Sequence, residues 1–157
     1  MKTIKIERIG KIARVWLSRP QVHNAFDEAM IAELTEVFSA FALQTDVRSV
    51  IMTGEGRSFC AGADLNWLGA GRSAPYERHV EDTMKLSAMF RAIYDLDKPV
   101  IAAVNGTALG GGVGLLAVSD VVIAAQDAAF GLSEVKIGVV PACISPYLFI
   151  RCSNRAK

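Results

Sequence analysis

The stretch Thr107–Asp120 reads TALGGGVGLLAVSD and places four glycines in the five positions from Gly110 to Gly114. No other segment limits the fold as much. Glycine loses more backbone freedom on folding than any other residue, so a cluster in an apolar run marks a backbone that something approaches closely. The run carries no acid, base or nucleophile. Any chemistry it serves must come from its peptide groups.

An apolar strand pattern, Val100–Val104, precedes the run, and a short helical one, Leu115–Val118, follows it. The rest of the chain alternates in the same way. Ile4, Ile6 and Ile9, a Gly10-Lys11 turn and Ile12–Leu17 read as a β-hairpin. Asp27 reads as a helix cap, with Ile31, Leu34, Phe38 and Phe41 on one face as far as Leu43. Val47–Thr53 reads as a buried strand, Pro75–Asp95 as a helix presenting Met84, Leu86, Met89, Phe90 and Ile93, and Asp120–Ala125 as a further strand. The order β-β-α-β-α-β-α-β predicts an α/β fold with a largely parallel sheet, in one domain over residues 1–157. GEGRSFCAGAD reads as a glycine-punctuated loop and Gly71–Ala74 as the most flexible segment. The final stretch, PACISPYLFIRCSNRAK, carries an apolar run with no visible helix or cap, which suggests a truncated chain.

Composition narrows the partners. With 157 residues, 52% of them hydrophobic, the chain can bury a real core. Its 17 basic and 16 acidic residues form no basic stripe, which argues against nucleic acid. The apolar runs are far too short to span a membrane. Cys60, Cys143 and Cys152 form no CxxC pair, which suits a reducing compartment, so the cytoplasm is the expected location. His23 and His79 lack metal-ligand spacing, and no metal site is expected.

Three uses remain for the glycines. Gly112-x-Gly114-x-x-Ala117 fits a loose dinucleotide string, but NGTALGG separates Gly112 from the strand, whereas that fingerprint turns directly off its strand. Alternatively the N–H groups stabilise charge developing on a substrate oxygen, with a second donor from the small-residue loop SFCAGAD. The third use is close helix–strand packing alone.

Four motifs in order, RPQVHNAF, GRSFCAGADL, KPVIAAVNGTALGGGVGLLAVSD and AAFGLSEVKIGVVP, resemble the enoyl-CoA hydratase/isomerase (crotonase) superfamily. The resemblance implies a spiral of ββα units around an acyl-CoA thioester site. It implies that Ala63 and Gly111 donate two oxyanion-hole N–H groups and that Glu134 is the general acid/base. Val22, His23, Ala61, Asp64 and Leu65 would line the coenzyme A path, and Gly114 would join the substrate-binding residues. Coenzyme A belongs to the substrate, so no separate cofactor is expected. A complete fold of this kind would assemble as a trimer or a dimer of trimers.

Two departures stand out. Two-carboxylate hydratases of the superfamily carry a glutamate where this chain has Gly114, leaving Glu134 as the one catalytic carboxylate. Members also continue past the position of Lys157 into C-terminal helices. EVKIGVVPACISPYL resembles bacterial methylglutaconyl-CoA hydratases more than isomerases. The expected activity is therefore hydration of an α,β-unsaturated acyl-CoA. An isomerase using a single glutamate and an acyl-CoA-binding fragment without turnover stand as alternatives. Among single residues, Asp64 reads equally as a loop cap, Cys60 as a small buried filler, and Asp120 as the residue that fixes a strand start.

Overall fold

The computed structural model describes residues 1–71 and 73–152. Strands β1 (Ile4–Ile9) and β2 (Ile12–Leu17) form the hairpin, antiparallel from Ile4↔Leu17 to Ile9↔Ile12. Only Ile4 of β1 is buried, because this strand lies at the sheet margin. Helix α1 (Glu28–Leu43) starts where the Asp27 carboxylate accepts the Met30 N–H, and it buries Ile31, Leu34, Phe38 and Phe41. Strand β3 (Ser49–Gly54) begins two residues later than its apolar pattern.

The loop reading of GEGRSFCAGAD needs correction. It holds strand β4 (Ser58–Cys60), and helix α2 (Leu65–Gly71) follows it. A three-residue strand is too short to show a period, so its pairing partners alone define it. Helix α2 also runs into the segment expected to be most flexible, and residue 72 of that segment lies outside the described residues. Helix α3 (Tyr76–Tyr94) buries Met89, Phe90 and Ile93, while Met84 faces outward. Strand β5 (Val100–Val104) follows, and its Val100 N–H donates to the Asp120 carboxylate at 2.7 Å. Strand β6 (Thr107–Leu109) occupies part of the spacer before the glycines, and helix α4 (Gly111–Ala117) begins within them. Strands β7 (Val121–Ala124) and β8 (Phe130–Gly131) and helix α5 (Ser145–Arg151) complete the series. The apolar end thus does form a helix, and residues 153–157 of that stretch lie outside the described ones.

Two sheets result. The larger has the order β1-β2-β3-β5-β7, with every pair after the hairpin parallel. The smaller, β4-β6-β8, is parallel throughout. Phe26, Phe38, Phe59, Phe90, Met30, Leu34 and Met52 are fully buried. Among the described residues no helix is long and apolar enough to cross a membrane.

Candidate active site

The small sheet builds the site. Ser58 pairs with Thr107 and Cys60 with Ala108, while Ala108 pairs with Phe130 and Leu109 with Gly131. Three parallel strands therefore end side by side and release three segments at one edge: Ala61–Asp64, Gly110–Gly111 and Ser133–Glu134. All three line one cleft of about 990 Å³, with Val22, His23 and Leu65 along the same wall. Residues 137–144 line it as well. The carboxyl ends of parallel strands are where such open clefts collect ligands.

Packing explains most of the glycine run. A Cβ at Gly112 would stand 2.2 Å from the Cys60 carbonyl oxygen, so only glycine lets α4 abut β4. Gly111 faces Phe26, whose Cζ would lie 2.3 Å from an added Cβ. One turn on, Gly114 faces Phe90 and Ile144, at 2.9 and 2.3 Å from such an atom. Phe26 and Phe90 meet edge to face with centroids 6.3 Å apart. The helix therefore rests on two aromatic rings packed edge to face. Close packing and exposure of peptide groups are both served by the same glycines.

Gly114, which the resemblance implies as a substrate-binding residue, stands apart from the cleft. It is buried beneath Phe90 and Ile144 and does not line the cleft, because the inner face of α4 packs on the core. Those two side chains fill the space into which a glutamate at this position would project.

The peptide groups at the cleft are oriented by their own hydrogen bonds. Phe26 N–H donates to Gly62 O at 2.8 Å, and Asp64 N–H donates to Phe26 O at 3.0 Å. In a trans peptide the N–H points opposite the C=O. The Gly62 carbonyl is taken by Phe26, so the Ala63 N–H is directed to the other side. The Gly110 carbonyl accepts from Val113 and Gly114, which turns the Gly111 N–H outward in the same way. Among the described residues neither N–H has an acceptor. The two segments touch: a Cβ on Gly62, whose φ is +88°, would lie 3.1 Å from the Gly111 nitrogen.

Glu134 opens a short 3-10 turn, Glu134–Ile137, just after β8. Gly110 N–H donates to Gly131 O at 2.8 Å and ties the end of β8, just before that turn, to the glycines. Glu134 Oε1 would be 3.1 Å from a Cβ at Gly110, and its Oε2 is buried without a hydrogen-bond partner among the described residues. A carboxylate oxygen shielded and unpaired inside a cleft is free to take a proton from a bound molecule.

The remaining predicted residues also line the cleft. His23 (φ 54°) and Asn24 (φ 56°) adopt left-handed backbone, and Asn24 is fully buried. Its side chain accepts from Arg19 N–H at 2.9 Å and donates to the Glu55 and Ser58 carbonyls at 2.8 Å, which holds the turn. His23 Nδ1 shares a 2.9 Å hydrogen bond with Ser58 Oγ. Asp64 is only 6% exposed. Burial penalises its charge, but the Asn66 N–H and the Arg19 guanidinium outweigh that and hold its carboxyl below the usual value. Cys60 is wholly buried, and burial pushes its thiol up to about 12, so it is inert filler. No group of three or more metal-binding side chains occurs among the described residues. Arg19, Phe26 and Ser58 support the site without having been singled out by sequence.

Residues 7–155 match the family model described as enoyl-CoA hydratase/isomerase. The chain belongs to the enoyl-CoA hydratase/isomerase family. An enoyl-CoA hydratase of Alternaria alternata is 39% identical over 143 residues, covering 91% of this chain and 46% of that protein. A 1,2-epoxyphenylacetyl-CoA isomerase of Escherichia coli is 36% identical, covering 90% of this chain and 54% of its own length. The crystal structure of an enoyl-CoA hydratase from Shewanella pealeana superposes with a TM-score of 0.93 at 37% identity, covering 98% of this chain and 58% of that one. The crotonase fold expected from the four motifs is thus the fold observed. The chain spans about half the length of the curated relatives it matches.

Proposed function

We propose that this chain binds an α,β-unsaturated acyl-CoA thioester and catalyses addition of water to it. The thioester oxygen lies between the Ala63 and Gly111 N–H groups. Glu134 takes a proton from water, whose oxygen bonds to Cβ. The electron pair of the double bond shifts to an enolate, and Glu134 returns the proton to Cα. Val22, His23, Ala61, Asp64 and Leu65 flank the coenzyme A arm. Removing one preorganised donor of this kind typically costs about 3–4 kcal/mol of barrier, about 10²–10³-fold in rate. The observation that carries this reading is the shared cleft of two acceptor-free backbone N–H groups and one unpaired carboxylate oxygen.

The acyl group favoured is a glutaconyl type such as methylglutaconyl. With no second catalytic carboxylate, the substrate's own carboxylate helps orient the water. Equal hydration rates on crotonyl-CoA and a glutaconyl-type CoA would remove that element. Glu134→Gln should lower turnover by about 10²–10⁴-fold, read as loss of the conjugated-thioester absorbance, with little change in thioester affinity. A fully active variant would exclude Glu134.

A second reading is isomerisation, with Glu134 carrying one proton between two carbons. It is favoured by the filled space at Gly114 and by the isomerase named among the relatives. Oxygen-labelled water separates the two, since only hydration incorporates the label. Thioester binding with neither reaction would leave the chain as a binding fragment.

A further inference from the structure

We propose that Arg19 is a positioning residue whose guanidinium, clamped between Asp64, Asp27 and the Ala25 carbonyl, holds the Gly62–Ala63 peptide so that the Ala63 N–H faces the substrate oxygen. This rests on the thioester reading given above.

Arg19 NH2 lies 2.9 Å from Asp64 Oδ2 and 3.1 Å from Asp27 Oδ2, and its NH1 donates to the Ala25 carbonyl. Its side chain is 16% exposed and that of Asp64 8%, so the pair is largely withdrawn from water. One cation therefore holds three acceptors on two parts of the chain, residues 25–27 and Asp64. Asp27 is the cap of α1, Ala25 precedes the Phe26 that bonds Gly62, and Asp64 follows Ala63 directly.

The Ala63 peptide has no side chain of its own to steer it. Its direction depends on the Phe26–Gly62 hydrogen bond before it and on the placement of Asp64 after it. Asp64 in turn accepts the Asn66 N–H at 2.9 Å at the start of α2. Arg19 grips both strands of this small parallel bridge, Phe26 with Ala63, from outside the cleft. It does not line the cleft and touches no reacting atom. Arginine suits the task because its planar fork keeps several acceptors at fixed angles, which a lysine cannot do. An N–H aimed slightly wide of a developing oxyanion loses much of its effect.

The test compares wild type with Arg19→Met and Arg19→Lys. Each is loaded with an enoyl-CoA whose thioester carbonyl is isotopically labelled, and the bound C=O stretch is read by infrared difference spectroscopy. Affinities for the thioester and for free coenzyme A are titrated in parallel, and circular dichroism checks the fold. Wild type should lower the stretch relative to the free thioester. Arg19→Met should lose more than half of that shift with unchanged affinity for free coenzyme A, and Arg19→Lys should recover part of it. A folded Arg19→Met with the full shift overturns the assignment of Arg19 and leaves the thioester reading intact. Should Arg19→Met not fold, the full wild-type shift in Arg19→Lys is the overturning result. A wild-type stretch equal to that of the free thioester overturns the oxyanion reading, and the role of Arg19 with it.

Discussion

At the scale of single residues, the glycine run is a set of separate constraints. Gly112 is set by the Cys60 carbonyl, Gly111 by Phe26 and Gly114 by Phe90 and Ile144. Gly112→Ala meets backbone, which cannot swing aside, so it should cost about 1–3 kcal/mol or more of overpacking in urea denaturation. Gly114→Glu would supply, in sequence only, the second carboxylate that the resemblance implies for two-carboxylate hydratases. Its side chain would collide with the Phe90 ring and Ile144, so we expect a lowered Tm and no gain in hydration rate. A rise in rate at unchanged Tm would show that the core opens there. The sequence marked all four glycines but could not say which neighbour each one meets, because those neighbours come from β4, the approaches to α1 and α5, α3 and the turn after β8. Arg19 escaped notice for a similar reason. Its partners, Asp27 and Asp64, lie far apart along the chain and meet only when the loops fold together.

At the scale of elements, charged groups fasten loops to helices. Glu33 on α1 accepts N–H groups from Lys2, Thr3 and Ile4 and the Thr3 hydroxyl, tying β1 to the helix. Burial works against its charge, yet these hydrogen bonds prevail and hold its carboxyl below the ordinary value. The shift at Asp64 has the same direction. A carboxyl whose folded value is depressed stabilises the fold above its unfolded value and loses that contribution as pH falls through the folded one. Stability should therefore decline below about pH 4, and Asp64→Asn should flatten that acid limb in thermal melts. An unchanged acid limb would mean Asp64 carries no such linkage. Asp27→Ala should cost about 1 kcal/mol through the lost cap of α1, with a further loss because Arg19 gives up one of its two carboxylates.

At the scale of the whole molecule, the fold is uneven in what it covers. Strands β2, β3 and β5 each pair with a neighbour on both edges, but all four residues of the margin strand β7 are exposed, Ile123 by 63%. Val139, Val140, Phe149 and Ile150 near the cleft and α5 are exposed as well. A parallel sheet is ordinarily covered on both faces, and an open apolar margin strand favours association. The described chain should therefore self-associate with rising concentration in sedimentation velocity. Ile123→Lys should reduce that association while changing the Tm by only a few degrees, since most of the side chain is exposed.

The sequence by itself determined the alternation of strands and helices, the hairpin, α1 with its cap, α3 and β5, since each is written in a local period or a capping residue that few neighbours can override. The resemblance of four of its motifs to a known family also marked Ala63, Gly111 and Glu134, which no local period or cap would have singled out. Only the tertiary structure decided that these three share a cleft. Their supports, β4, β6 and β8, are two or three residues long, too short to carry a period, and exist only because each pairs with the next. The tertiary structure likewise moved Gly114 from the cleft to the core and brought Arg19 to the Ala63 loop. Those placements are set by which surfaces meet, and pairing between distant segments leaves no local trace in the order of residues.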